Sequence, residues 1–433
     1  MNYTLKRKDV NIAVFSTQGQ SIVNCIIDKM YEDFLPLPLK RLVKPGYKEE
    51  FVSAETDEYY EINEEGCFLI DEWFSNREIP VNRYNYSAYI KKGSNPRKWL
   101  FENNGYSFND CYYIESEQEE LSWNDIQNKL NSLDVYFSVK KDGHFYKGQN
   151  ATLGGQLEKF WYKKDNEVML CKKIDMQYDI LIIREIIASL IYKKQNYENF
   201  CDYHFVYNRD GGIIGCSCKS FTNENTELIT AYDLLAEYNM TQVDDVWEKI
   251  IELSVKYGAN EQEISNYLDV QTLVDYLITN RDRHQNNIGF LRDVDTLEII
   301  GPAPIYDNGS SKYMEGTYPE KVAYTTTNGL YLTELECLKH VHNFDILDIS
   351  KLPSKEEIEK LLSLSKGLTI ERKEYLLNMY TEKKTFLCHL QQQYQSGIDM
   401  QSYLEKYRQN ENEEKNTWDC FEESDIYDYE NRE

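Results

Sequence analysis

Asn280-Arg281-Asp282-Arg283-His284-Gln285-Asn286-Asn287-Ile288-Gly289-Phe290-Leu291, followed by Gly301-Pro302-Ala303-Pro304-Ile305-Tyr306-Asp307-Asn308-Gly309, is the most informative stretch of this 433-residue chain. Asp282 and Asn287 have the spacing with which a phosphoryl-transfer loop sets a carboxylate at an acceptor hydroxyl and an amide oxygen on a metal ion. Ile288 to Leu291 and Leu297 to Ile300 are apolar runs joined by the polar turn Arg292 to Thr296. A hairpin there returns Asp307 to the side of Asn287 and makes it the second metal ligand. Two hard oxygen donors from different segments suit Mg²⁺. Asp-Arg-His by itself is ordinarily a surface turn. What lifts the reading is Asp307 in its apolar Ile305-Tyr306 context, where an unpaired carboxylate is costly. His284, two positions after Asp282, belongs to the same catalytic loop and is expected to hold it by hydrogen bonds.

Working outward, such a site needs a lysine on the phosphates and an acid to hold it. Lys172 ends the apolar run Val168-Met169-Leu170-Cys171. Glu185 lies within Leu181-Ile182-Ile183-Arg184-Glu185-Ile186-Ile187-Ala188, a helix apolar almost all round, where a carboxylate calls for a cation. Lys172 is the partner if one strand face is turned inward and Lys173 if the other is. The competing view places Glu185 on a solvated strip with Arg184. Ahead of the strand, Thr152-Leu153-Gly154-Gly155-Gln156-Leu157-Glu158-Lys159 holds adjacent glycines, which let backbone N–H groups approach phosphate oxygens. It is not a Walker A loop, since no Gly-Lys-Ser/Thr is present.

Taken together, Thr152-Leu153-Gly154-Gly155 with Lys159, Lys172, Glu185, Asp282-Arg283-His284 with Asn287, and Ile305-Tyr306-Asp307 resemble the HipA-like serine/threonine kinases. Leu35-Pro36-Leu37-Pro38, Trp73-Phe74-Ser75-Asn76-Arg77-Glu78-Ile79-Pro80 and Asn109-Asp110-Cys111-Tyr112-Tyr113 are more loosely similar to segments of HipA-domain proteins of Gram-positive bacteria. The resemblance implies an α+β, two-lobed protein-kinase-like fold with an additional N-terminal α+β domain. It implies Asp282 and His284 as catalytic-loop residues and Asn287 and Asp307 as Mg²⁺ ligands. Thr152, Gly154, Gly155, Lys159, Lys172, Glu185 and Cys218 would form the nucleotide site, with Cys216 to Phe221 as the hinge that frames adenine. Thr152 stands where some family members carry an autophosphorylated serine. The implied cofactors are ATP and Mg²⁺, the substrate a protein hydroxyl, and the partner, by analogy with family toxins, a small DNA-binding antitoxin. Two other readings stay open: a catalytically silent kinase-fold binding or regulatory module, and a lipid or small-molecule kinase. The acidic tail and the long helix Ile370 to Gln393 have no counterpart in the resemblance.

Composition sets the outer bounds. Hydrophobic residues make up 41% and charged residues 28%, and 36 Tyr exclude a disordered chain. The balance of 48 Lys plus Arg against 74 Asp plus Glu gives a formal charge of −26, which opposes direct nucleic-acid binding over a wide surface. No stretch approaches the roughly 20 apolar residues of a membrane span, and no signal-peptide core opens the chain, so a soluble cytoplasmic protein is expected. The 10 Cys lack any Cys-x-x-Cys pair and are expected to be free buried thiols. Short strand-like runs are expected at Asn11 to Ser16, Gln20 to Ile27 and Gly66 to Asp71. A helix is expected from Leu121 to Leu133, with Ser122 and Asp125 at its start. The domains expected are an N-terminal α+β unit (1–148), a Gly-loop subdomain (149–235), a helical lobe with the catalytic loop (236–395) and an acidic disordered tail (396–433). Residues 411–433 carry ten acidic and two basic side chains.

Overall fold

The computed structural model describes residues 1–49, 58–84, 86–90, 94–132, 152–155, 157–173, 179–238, 245–309, 331 and 333–407. The chain begins with β1 (Asn2–Arg7), β2 (Val10–Gln18) and β3 (Ser21–Asp28), joined by tight turns. With β4 (Tyr59–Ile62) and β5 (Tyr112–Ser116) they form an antiparallel sheet of order β4-β3-β2-β1-β5. Ile12, Phe15, Cys25 and Ile27 turn inward from it against Ile70 and Phe74 of α1 (Glu64–Arg77). Two short helices, α2 (Tyr86–Tyr89) and α3 (Pro96–Glu102), follow, and α4 (Trp123–Asn131) starts at a Ser122/Asp125 capping box, as expected.

One element departs from expectation. Gly66 to Asp71, read as a strand, lies inside α1. Asn63 accepts a hydrogen bond from the Gly66 N–H at 3.0 Å, Glu64 and Glu65 sit at the positive end of the helix dipole, and Cys67, Ile70, Trp73 and Phe74 recur on one buried face. The cap and the 3.6-residue period override the local strand preference of the run.

The second sheet comprises β6 (Lys159–Lys164), β7 (Glu167–Lys173), β8 (His204–Tyr207) and β9 (Ile213–Lys219), in the order β6-β7-β9-β8. Helix α5 (Asp179–Lys194) packs on it and is buried on nearly every face, which is why its sequence is apolar almost all round. Lys172 stands opposite Cys216 in the β7–β9 register, and Gly215 is required beside it: a Cβ there would meet the Lys172 carbonyl at 2.3 Å.

A third, three-stranded sheet comprises β10 (Thr226–Thr230), β11 (Gly289–Asp293) and β12 (Ile299–Pro302). Its β11–β12 ladder is the expected hairpin, with Phe290 opposite Pro302. The remainder is helical: α6 (Ala231–Leu235), α7 (Val246–Lys256), α8 (Glu261–Ile278), α9 (Glu334–Leu338), α10 (Lys355–Ser363) and α11 (Ile370–Gln395). Helix α8 ends at Thr279 in the left-handed conformation, and this stop releases the chain into the loop from Asn280 onward. The expectation of an unpacked tail from 396 is not met at its start. Residues 400–407 are helical, and Leu404 is fully buried in the core of α5, α7, α8 and α11.

The architecture is α+β, as expected. The N-terminal sheet is tied to the rest by a buried charged triad: Glu227 on β10 accepts from Arg7 of β1 at 2.7 Å and from Arg292 of β11 at 2.9 Å. Main-chain bonds join the same units, Leu228 N–H to the Asn109 carbonyl at 2.7 Å among them. Among the described residues no helix is long and apolar enough to cross a membrane.

Candidate active site

The site is built on the end of α8. Asp275, buried in that helix, pairs with both sides of the Arg283 guanidinium at 2.7 and 2.9 Å. Burial works against the Arg283 charge, but Asp275 overcomes it and holds the group firmly cationic. Arg283 then donates to the Asn287 carbonyl and the Tyr306 carbonyl, both at 2.7 Å, and to Asn308 Oδ1 at 3.0 Å. One buried side chain thereby fastens the loop after α8 to the segment after β12. This is the physical reason the segments that carry Asn287 and Asp307 border the same cavity.

Within the loop, Asn287 Nδ2 donates to the Asp282 carbonyl at 2.9 Å, and the Asp282 N–H donates to Asn280 Oδ1 at 3.3 Å. His284 Nε2 lies 3.4 Å from Asn287 Nδ2, and its Nδ1 is buried without a partner among the described residues. The histidine thus touches the loop amide as expected, and its second nitrogen is a group that a ligand could satisfy.

Lys172 resolves the strand-face question. It is 2% exposed and pairs with Glu185, itself 1% exposed, and with Asp307 at 2.5 Å. Lys173 turns outward to Glu158 at 3.1 Å. Glu185 is therefore no part of a solvated strip: its second oxygen accepts from the Asn308 N–H at 2.9 Å. Gly309 follows because a Cβ there would stand 2.7 Å from the Leu181 carbonyl of α5. Asp307 adopts φ +55, a left-handed backbone that a non-glycine residue accepts only where surrounding bonds fix it. Burial raises its carboxyl, but Lys159 and Lys172 outweigh that and hold it well below the usual carboxylate range.

The glycine-rich loop lies over these charges. Lys159 Nζ donates to the Gly154 carbonyl at 2.9 Å and stands 4.0 Å from Asp307. Burial pushes Lys159 down to about 8, only partly opposed by Asp307. Thr152 has φ +64, its hydroxyl accepting from Asn109 Nδ2 at 3.1 Å and its N–H donating to the Arg77 carbonyl.

A cavity of about 620 Å³ opens among these groups. Thr152, Gly154, Gly155, Lys159, Lys172, Cys218, Asp282, His284, Asn287 and Asp307 line it, together with apolar Leu157, Leu170, Phe221 and Ile229. Tyr306 and Phe221 stack at 5.6 Å at its edge. Glu185 stands behind Lys172 and does not border the cavity. Sequence reasoning missed Asp275, although a carboxylate inside an apolar helix is the signal that had exposed Glu185. It also missed Arg83, a buried residue that no pattern marks and that donates to the Gly154 carbonyl at 3.2 Å and the Gly155 carbonyl at 3.3 Å. Among the described residues no cluster of three or more His, Cys, Asp or Glu side chains could hold a metal ion by itself, and the nine described cysteines are free thiols.

No protein-family model matches this sequence, and no curated protein matches it significantly. Solved structures similar to it include the following two. The proinflammatory kinase CtkA of Helicobacter pylori is 18% identical at a TM-score of 0.39, over 54% of this chain and 89% of that one. HipA of Shewanella oneidensis MR-1, from a complex of that toxin–antitoxin system with HipB and its operator DNA, is 12% identical at a TM-score of 0.46, over 89% of this chain and 96% of that one. At these identities and TM-scores neither likeness assigns a role to any residue; the geometry of the cleft has to carry that.

Proposed function

We propose that the chain is an ATP- and Mg²⁺-dependent phosphotransferase of HipA type, a serine/threonine protein kinase with a two-lobed, kinase-like arrangement around the cleft. One observation carries the reading: a buried lysine bridges a helix glutamate and the aspartate of a second segment, in a cavity that also holds Asp282 and Asn287 five positions apart.

In this reading the adenine lies among Leu157, Leu170, Cys218 and Phe221, and the phosphates under Gly154 and Gly155. Lys172, oriented by Glu185, places a fixed charge on the phosphate oxygens, and Lys159 adds a second from the loop. Asp282 accepts or orients the proton of the attacking hydroxyl, while His284 and Arg283 hold that loop in place. Asn287 and Asp307 would hold Mg²⁺. Two hard protein oxygens suit an ion that takes its remaining ligands from outside the protein, and when bound it would neutralise charge on the transferring group. Asp307 leaves its contact with Lys172 to do so. With a net charge of −26, operator contact would come from a DNA-binding antitoxin partner rather than from this chain.

Transfer from radiolabelled ATP with Mg²⁺, to the protein itself and to a cell lysate, tests the reading. Asp282→Asn and Asp307→Asn should each lower labelling by at least about 10³-fold with the fold unchanged, and self-label should map to Thr152. Retained transfer in either variant would overturn the assignment, and nucleotide binding without any transfer by the wild type would favour the silent module.

A further inference from the structure

Resting on the phosphotransferase reading, we infer that Arg83, a residue of the N-terminal unit, is a positioning residue for the phosphate loop: it gathers the loop's carbonyls and so aims the loop's amides at the nucleotide. Arg83 is 3% exposed and lies in the turn after α1, its N–H bonded to the Pro80 carbonyl at 3.0 Å. Its Nη2 donates to the Leu153 carbonyl and, at 3.2 Å, to the Gly154 carbonyl, and its Nε donates to the Gly155 carbonyl at 3.3 Å. Three successive carbonyls therefore converge on one guanidinium, whose planar fork suits such a set as an ammonium does not.

The consequence follows from peptide geometry. In a trans peptide the N–H points opposite the C=O of the same plane. With the Leu153 and Gly154 carbonyls turned to Arg83, the Gly154 and Gly155 N–H groups point away from it, and both glycines border the cavity. Successive amides on one side make an anion-binding concavity. Gly155 at φ +84 allows the reversal, and a Cβ on it would meet Lys159 Nζ at 3.0 Å. The same unit pins the start of the loop through the Arg77 carbonyl and Asn109, both bonded to Thr152. The N-terminal unit thus sets the shape of a nucleotide loop that lies some 70 residues downstream of the arginine.

The full-length protein, its Arg83→Lys variant and its Arg83→Met variant can be compared by calorimetric titration with MgATP and by hydrogen exchange at Leu153, Gly154 and Gly155 without nucleotide. Losing charge-assisted bonds to the loop should weaken ATP binding by about ten- to a hundred-fold in Arg83→Met. Arg83→Lys keeps the charge but not the fork, so it should still bind at least about fivefold more weakly. Exchange at the three amides should quicken in both variants while the thermal midpoint of Arg83→Lys stays near the wild type. Wild-type affinity and protection in Arg83→Lys would overturn the inference, even if Arg83→Met does not fold. If the wild type binds no ATP, the phosphotransferase reading falls. Loop exchange still decides the clamp in that case: faster exchange in Arg83→Lys supports it, and unchanged exchange overturns it.

Discussion

Lys159 is the residue whose chemistry is most open to a simple test. It is protonated below about 8 and neutral above, because burial under the loop disfavours its charge more than Asp307 restores it. On the phosphotransferase reading, its attraction for phosphate would therefore be present at pH 7 and lost as pH rises through 8. The ATP dissociation constant of the wild type should climb between pH 7 and 9 by roughly tenfold, and Lys159→Met should flatten that profile. Lys172 offers no such titration, since Asp307 and Glu185 overcome the cost of its burial and keep it charged. The sequence made the Lys172–Glu185 pair legible for one reason: a carboxylate in a helix apolar on all sides must find a cation. The same logic reaches Asp275, which meets Arg283 in the structure. It does not reach Arg83, whose partners are main-chain carbonyls and so leave no trace in residue type.

At the scale of elements, period and caps explain both success and failure of reading. The helices Val246–Lys256, Glu261–Ile278 and Lys355–Ser363 bury apolar residues at three- and four-residue spacing, and Ile370–Gln395 runs two residues past the Ile370 to Gln393 read from the sequence. The run Gly66 to Asp71 misleads because six residues show no clear period, while the decisive signal, Asn63, lies just before it. The short helical segment 400–407 misleads in another way, since the acidic composition beyond it hides two buried side chains, Met400 and Leu404. Leu404→Ala should cost about 2–5 kcal/mol, measured by urea unfolding, because its methyl groups leave a cavity among α-helices that cannot close over it. A change below about 0.5 kcal/mol would show that the segment is not part of the core.

Among the described residues, the two largest apolar cores are joined by polar contacts as well as by one leucine. One lies between the N-terminal sheet and α1, the other among the helices, and Leu37 crosses from the first unit into the second. The Arg7–Glu227–Arg292 triad sits between them, nearly free of solvent. Replacing Glu227 by Ala leaves two guanidinium groups buried without their shared carboxylate, at a cost of about 3–5 kcal/mol. Calorimetry should then show one cooperative transition resolving into two, as each core melts by itself. A single transition of unchanged midpoint would show that the cores are coupled by other contacts. Composition suggested separate units along the chain but not this seam, because ion pairs between distant segments have no local signature.

The order of the chain adds a temporal meaning to the N-terminal sheet. All five of its strands and α1 are present by Ser116, with β5 returning to pair with β1. A ribosome that adds about 5–20 residues per second completes this unit seconds before it delivers the second sheet. Leu153, Gly154 and Gly155 therefore emerge into the presence of an already seated Arg83. A nascent chain stalled near residue 160 would carry its loop template before a single residue of the Asp282 to Asn287 segment had been translated.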